Sequence, residues 1–152
     1  MFKSNLSKRV IVPVEQRSSV CLACHAIIPN ISLGTKHRNH CPTCLWSKHL
    51  DEKVPGDRKS SCGANMEPIG LICKARGELA IVHMCLSCGK ISCNRIAGDD
   101  SSKAITDLLE KPNNLSQKLL TKLSGQGIEL LNQGDKYEVF TSLYGYDYQK
   151  YI

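Results

Sequence analysis

The apolar and polar positions change character twice along the chain. Residues 1–18 show no sustained periodicity, and their one apolar run, "VIVPV", is interrupted by Pro13. Residues 19–100 carry short apolar runs punctuated by Cys, Gly and Pro. The clearest are "IGLIC" (69–73) and "LAIVHMC" (79–85), joined by "KARGE". Two β-type runs around Gly77 predict an antiparallel hairpin. Beyond residue 100 the spacing turns helical. Ala104, Ile105, Leu108 and Leu109 fall on one helical face, and Ser101 or Ser102 is placed to cap a helix over about 103–111. Pro112 and Asn113-Asn114 break it, and "LSQKLLTKLSG" predicts a second short helix ending near Gly125. "KYEVFTSLYGYDY" alternates β-branched and aromatic residues and predicts a strand.

This pattern divides the chain into a basic arm (1–18), a cysteine-rich domain (19–102) and a tail of helices and a strand (103–152). Only 5% of the residues are aromatic, and nine are cysteines. So little packing material calls for a staple, either disulfides or metal. No secretory pattern is read in the first twenty residues, and no segment has the length of a membrane span. The expectation is a reducing, cytoplasmic setting, where closely spaced thiols bind metal. An odd number of cysteines also fits a closed disulfide set poorly. The expected fold is a small α+β one: zinc-ribbon-like β-hairpins holding two zinc sites, then a short α+β C-terminal appendage.

Three C-x-x-C pairs stand out: Cys21/Cys24, Cys41/Cys44 and Cys85/Cys88. At this spacing a tight turn sets two thiolates on one ion, with backbone N–H groups aimed at the sulfurs. Gly89 supplies the positive φ that such a turn favours. Sixteen residues separate the first two pairs, the interval of a four-thiolate zinc ribbon. Cys21, Cys24, Cys41 and Cys44 are therefore assigned to site 1. Site 2 takes Cys85, Cys88 and Cys62, because an antiparallel hairpin turning near Gly77 brings the start of one strand beside the end of the other. His49, His83, Cys73 and Cys93 compete for its fourth position. Cys73, near the hairpin turn, reads better as a small packed hydrophobe. Tetrahedral thiolate sites with histidine available suit Zn2+ better than iron, two ions per chain.

The strings "GTKHRNHCPTCLWSKHLDEKVPGDRKSSCGANMEPIG" and "GELAIVHMCLSCGKISCNRIAGDD" resemble the RNHCP domain, a zinc-finger-like family of poorly characterised function, over roughly residues 19–100. The string that gives the family its name stands here as Arg38 to Pro42. The resemblance implies histidines at His40, His49 and His83, and no fixed cysteine at Cys73 or Cys93. It therefore favours His49 as the fourth ligand of site 2, with His83 the alternative. It leaves His40 to pack on, or hydrogen-bond, site 1.

The formal net charge is +6, and residues 1–60 hold all of the excess, with ten Lys/Arg against four Asp/Glu. Lys36, Arg38, Lys48, Lys53, Arg58 and Lys59 crowd the second knuckle, where they can meet phosphates. The expected partner is RNA or a ribonucleoprotein such as the ribosome. The alternative is a protein partner docked on the tyrosine-rich tail. Catalysis is the weakest reading: thiolate-rich zinc is a poor Lewis acid, and neither H-E-x-x-H nor the deaminase H-x-E pattern occurs. Asp57, Asp99 and Asp100 are expected to brace loops, with Arg58 and Arg95 as candidate partners. Trp46 is either a lid on a small core or a stacking platform for a base.

Overall fold

A computed structural model describes residues 19–29, 38–54 and 57–146. The basic arm, Lys36, Tyr148 and Tyr151 lie outside the described residues. Two short strands, β1 (Ser19–Val20) and β2 (Ile27–Ile28), flank the first C-x-x-C as an antiparallel pair. The main sheet is antiparallel in the order β3 (Ser47–Lys48), β4 (Asn65–Cys73), β5 (Leu79–Cys85) and β6 (Ile91–Arg95). Its centre is the predicted hairpin, with Leu71 opposite Ile81 and Met66 opposite Cys85. At the turn both Arg76 (φ 70°) and Gly77 (φ 74°) are left-handed.

"LAIV" shows no alternation because both faces of β5 are covered. Leu79 and Ile81 enter one core cluster with Leu45, Leu71, Ile105, Leu108, Leu109 and Val139. Val82 enters a second, with Ile69 and Leu123, against which Met84, Leu119, Ile128 and Leu130 pack. Adjacent strand residues point to opposite faces, so a strand buried on both sides reads as a continuous apolar run. A register shift between Pro68 and Gly70 adjusts β4 to this two-sided packing.

The tail supplies much of both clusters. Helix α1 (Ser102–Asp107) starts at Ser101, whose hydroxyl accepts from the Ala104 N–H at 3.2 Å. It runs into a 3-10 segment, Leu108–Asn114, that buries Leu108 and Leu109. Helix α2 (Gln117–Gly125), capped by Ser116, buries Leu123. The chain then returns to the sheet, where the Leu131 N–H donates to the Leu71 carbonyl at 2.8 Å.

The strand expected in "KYEVFTSLYGYDY" is instead a helix, α3 (Lys136–Tyr144). A capping box starts a 3-10 turn, Gln133–Asp135, that runs directly into it: Asn132 accepts from the Gly134 N–H, while the Asp135 carboxylate accepts from the Asn132 N–H at 2.8 Å. Val139 and Leu143, one turn apart, then reach the first cluster. The apparent alternation carried less information than the "NQGD" start signal.

Candidate metal centres and the basic loop between them

The three C-x-x-C segments fold into the same turn. In each, the residue four after the first cysteine donates its N–H back to that cysteine's carbonyl: His25 to Cys21 at 2.9 Å, Leu45 to Cys41 at 2.8 Å, Gly89 to Cys85 at 3.0 Å. That residue is left-handed in all three, with φ of 63°, 66° and 75°. Only Gly89 announces the conformation in the sequence. His25 and Leu45 adopt it under the demand of the turn, at a cost of about 1 kcal/mol each.

These turns converge in two clusters, Cys21, Cys24, Cys41 and Cys44, and His49, Cys62, Cys85 and Cys88, each with all its donor atoms within 4.8 Å of one another. Cys21 and Cys44 place their sulfurs 3.6 Å apart, Cys24 and Cys41 3.7 Å, and Cys62 and Cys85 3.7 Å. Four sulfurs at about 2.3 Å from a tetrahedral zinc stand about 3.8 Å apart, so the clusters fit such an ion. In the second, His49 turns Nδ1 to within 3.3 Å of the Cys88 sulfur. His49 reaches the cluster because β3 pairs with β4: its N–H donates to Ala64 and its carbonyl accepts from Gly63, beside Cys62.

The thiol electrostatics agree with a cation at each cluster. Burial works to raise the Cys21 thiol, but the N–H groups of Cys24 and Ala23 outweigh it and bring it down to about 7. At Cys85, burial is likewise outweighed by the N–H groups of Cys88 and Ser87, which bring it to about 6. The neighbours move the other way. Cys44 is pushed up by burial and by Cys24, Cys21 and Cys41. At Cys88 the Lys90 N–H pulls downward, but desolvation and Cys85 prevail and raise it. The first and third turns each favour one thiolate, at Cys21 and Cys85, whereas burial raises both Cys41 and Cys44 in the second; a divalent cation is what allows four donors to stand together.

His83, the alternative ligand, lies elsewhere. It is fully buried, donates from Nε2 to the Leu45 carbonyl at 2.6 Å and accepts at Nδ1 from the Asn94 amide at 3.2 Å. Burial drives its imidazole down to about 4, and nearby His40 adds to this. His40 does not hydrogen-bond a site 1 thiolate; its Nε2 meets buried Asp100 at 2.7 Å. Cys73 is exposed at the end of β4, not packed as a small hydrophobe, and Cys93 is half-buried against the second core cluster.

The loop between the clusters is braced by its own aspartates. Asp57 accepts from the N–H groups of Glu52, Lys53, Val54 and Lys59, which hold its carboxyl well below the usual carboxylate range. Arg58 donates to the Arg38 carbonyl at 3.0 Å and sits 3.6 Å from Asp51. Arg38 is itself 2.5 Å from Asp99, its side chain only 4% exposed. Arg95 meets Glu78 at 3.1 Å. Lys90 reaches across to the Asp51 and Glu52 carbonyls. Lys48, Lys53 and Lys59 are exposed and have no carboxylate partner among the described residues.

No helix among the described residues is long and apolar enough to cross a membrane. Neither the curated proteins nor the solved structures hold a significant match to the chain. The RNHCP domain matches residues 16–106, which span the three knuckles, both donor clusters and the whole sheet. With more than half of its length matched, and with the two clusters in place, the chain belongs to the RNHCP domain family.

Proposed function

We propose that this protein is a non-catalytic RNA-binding module whose shape is held by two structural zinc ions. Cys21, Cys24, Cys41 and Cys44 hold one ion, and His49, Cys62, Cys85 and Cys88 the other. Four protein donors at each cluster leave no open position for a substrate or an activated water. The observation that carries the RNA reading is the set of exposed lysines, Lys48 on β3 and Lys53 and Lys59 on the loop after it, whose ammonium groups have no carboxylate partner among the described residues. Exposed cations without carboxylate partners suit phosphates, and Arg58, 43% exposed at its side chain though 3.6 Å from Asp51, extends the set. Ribosomal RNA in the cytoplasm is the setting this reading favours.

The test joins elemental analysis to RNA binding at two salt concentrations. Two zincs per chain and an affinity for structured RNA that falls steeply with salt are expected. Changing all three lysines to Gln should weaken binding and flatten the salt slope by roughly 2–3. Failure to bind any RNA at physiological salt ends this reading. A protein-docking role is the second reading, resting on Tyr137, Tyr144 and Tyr146, which are 57%, 37% and 85% exposed. A pull-down that survives nuclease but fails when Tyr137, Tyr144 and Tyr146 are all changed to Gln would favour it; all three are exposed, and the changes keep α3 and buried Val139.

A further inference from the structure

Beside site 1, a groove of about 240 Å³ runs between the first two knuckles. Its apolar wall includes Val20, Leu22 and the half-buried Trp46; Asn39, Lys48 and Arg58 are among the polar residues lining it. Val20 and Leu22 are 59% and 58% exposed, an uncovered apolar surface next to cations. An apolar patch with a polar rim is a recognition feature. We propose that this groove takes one unpaired nucleobase of single-stranded RNA, stacked against Trp46, with its flanking phosphates on Lys48 and Arg58. The proposal rests on the RNA-binding reading above and names the part of the RNA that is read.

Three observations select this occupant. Among the described residues no Asp or Glu lines the groove, while Arg38, Lys48 and Arg58 do, which favours an anionic ligand. Its volume is below the ~300 Å³ at which sites for drug-sized ligands begin, which suits a single planar ring better than a helix or a strand. Asn39, one of the lining residues, has a buried Oδ1 without a hydrogen-bond partner, so the groove holds a side-chain amide with unused hydrogen-bonding capacity. A base in a duplex keeps its faces stacked and cannot enter, so the groove selects loops and single strands.

Trp46 is the only tryptophan, so its emission reports on this groove alone. Zinc-loaded full-length protein is titrated with a labelled oligoadenylate, with a blunt-ended two-strand RNA duplex and with inorganic polyphosphate. RNA anisotropy and Trp46 fluorescence are followed together. The single strand should bind and quench Trp46, the duplex should bind about tenfold more weakly, and polyphosphate should leave the emission unchanged. Trp46→Leu and, separately, Leu22→Ser should each weaken single-strand binding about tenfold while zinc stays at two per chain. Leu22 is exposed, so its variant keeps the test valid if the Trp46 variant misfolds.

RNA binding with unchanged Trp46 emission, or equal affinity for the duplex, overturns the base groove and leaves the RNA reading intact. Quenching by polyphosphate overturns it too. A nuclease-resistant protein complex that shields Trp46 from a soluble quencher hands the groove to a protein occupant. Absence of binding to every RNA removes the RNA reading, and this proposal with it.

Discussion

Leu130 lies so close to Gly70 that a Cβ added at Gly70 would stand 2.8 Å from its Cδ2 and 3.2 Å from its Cγ. Gly70 belongs to β4 inside the family match, and Leu130 to the tail beyond it. The bare backbone at Gly70 lets the 128–131 segment settle on the sheet, where Leu131 bonds to Leu71. Gly70→Ala should therefore cost roughly 1–3 kcal/mol by overpacking, read as a lower denaturation midpoint. Leu130→Ala in the same chain should recover part of that loss. Additive effects of the two changes would show that they do not touch.

Ending the chain at residue 106, where the family match stops, should leave a fragment without a cooperative fold even when loaded with zinc. Leu108, Leu109, Leu123 and Val139 are all at most 3% exposed and all lie past that point. Each such loss is worth roughly 2–5 kcal/mol, against a typical total of about 5–15 kcal/mol. Thermal melting of the zinc-loaded fragment decides the matter; a sharp transition near that of the full chain would contradict it.

Asp100 joins two parts of the domain through one oxygen, which accepts from the Ala97 N–H at 2.7 Å and meets His40 Nε2 at 2.7 Å. Asp100→Ala strands the buried His40 ring and should destabilise the fold by roughly 3–5 kcal/mol. Asp100→Asn keeps an acceptor and should lose much less. Urea unfolding of the two variants gives the comparison, and equal losses would argue against the hydrogen bonds as the cause.

The histidines divide by role, and zinc content should separate them. His49→Ala is expected to lower bound zinc from two ions to one, whereas His83→Gln should keep both and lose only stability. The reverse result would move the ligand to His83.

The His83 imidazole, depressed to about 4 from 6.5, also predicts a pH dependence. Below 6.5 the unfolded chain takes up a proton that the folded chain refuses. Stability from this group is therefore complete above about 6.5, falls as pH drops from 6.5 to 4 and levels off below that. Ring NMR between pH 7.5 and 5.5 should show His83 neutral throughout; a titration centred at 6.5 would refute the buried-neutral assignment.

Local chemistry was readable from the residues in order. A C-x-x-C pair makes its own turn, so the knuckles and six of the seven thiolates follow from spacing, and Cys62 follows from the antiparallel return of the hairpin. Gly77 and Ser101 marked a turn and a helix start, because such signals act over a few residues.

Packing decided the rest. His49 and His83 have the same chemistry; the pairing of Ser47 with Met66 carries one to the thiolates, while strand alternation turns the other into the core. Arg38 carries the same charge as Lys59, yet its approach to Asp99 withdraws it from the surface. The continuous run in β5 was visible, but its meaning, burial on both faces, depended on helices that return from up to sixty residues away. In "KYEVFTSLYGYDY" the local alternation pointed to a strand, wrongly. The segment became α3 because the sheet had a place for Val139 and Leu143 on one helical face. The sequence by itself determined which atoms can bind metal; only the tertiary structure decided which of them meet, since that depends on register and burial between segments far apart in the chain.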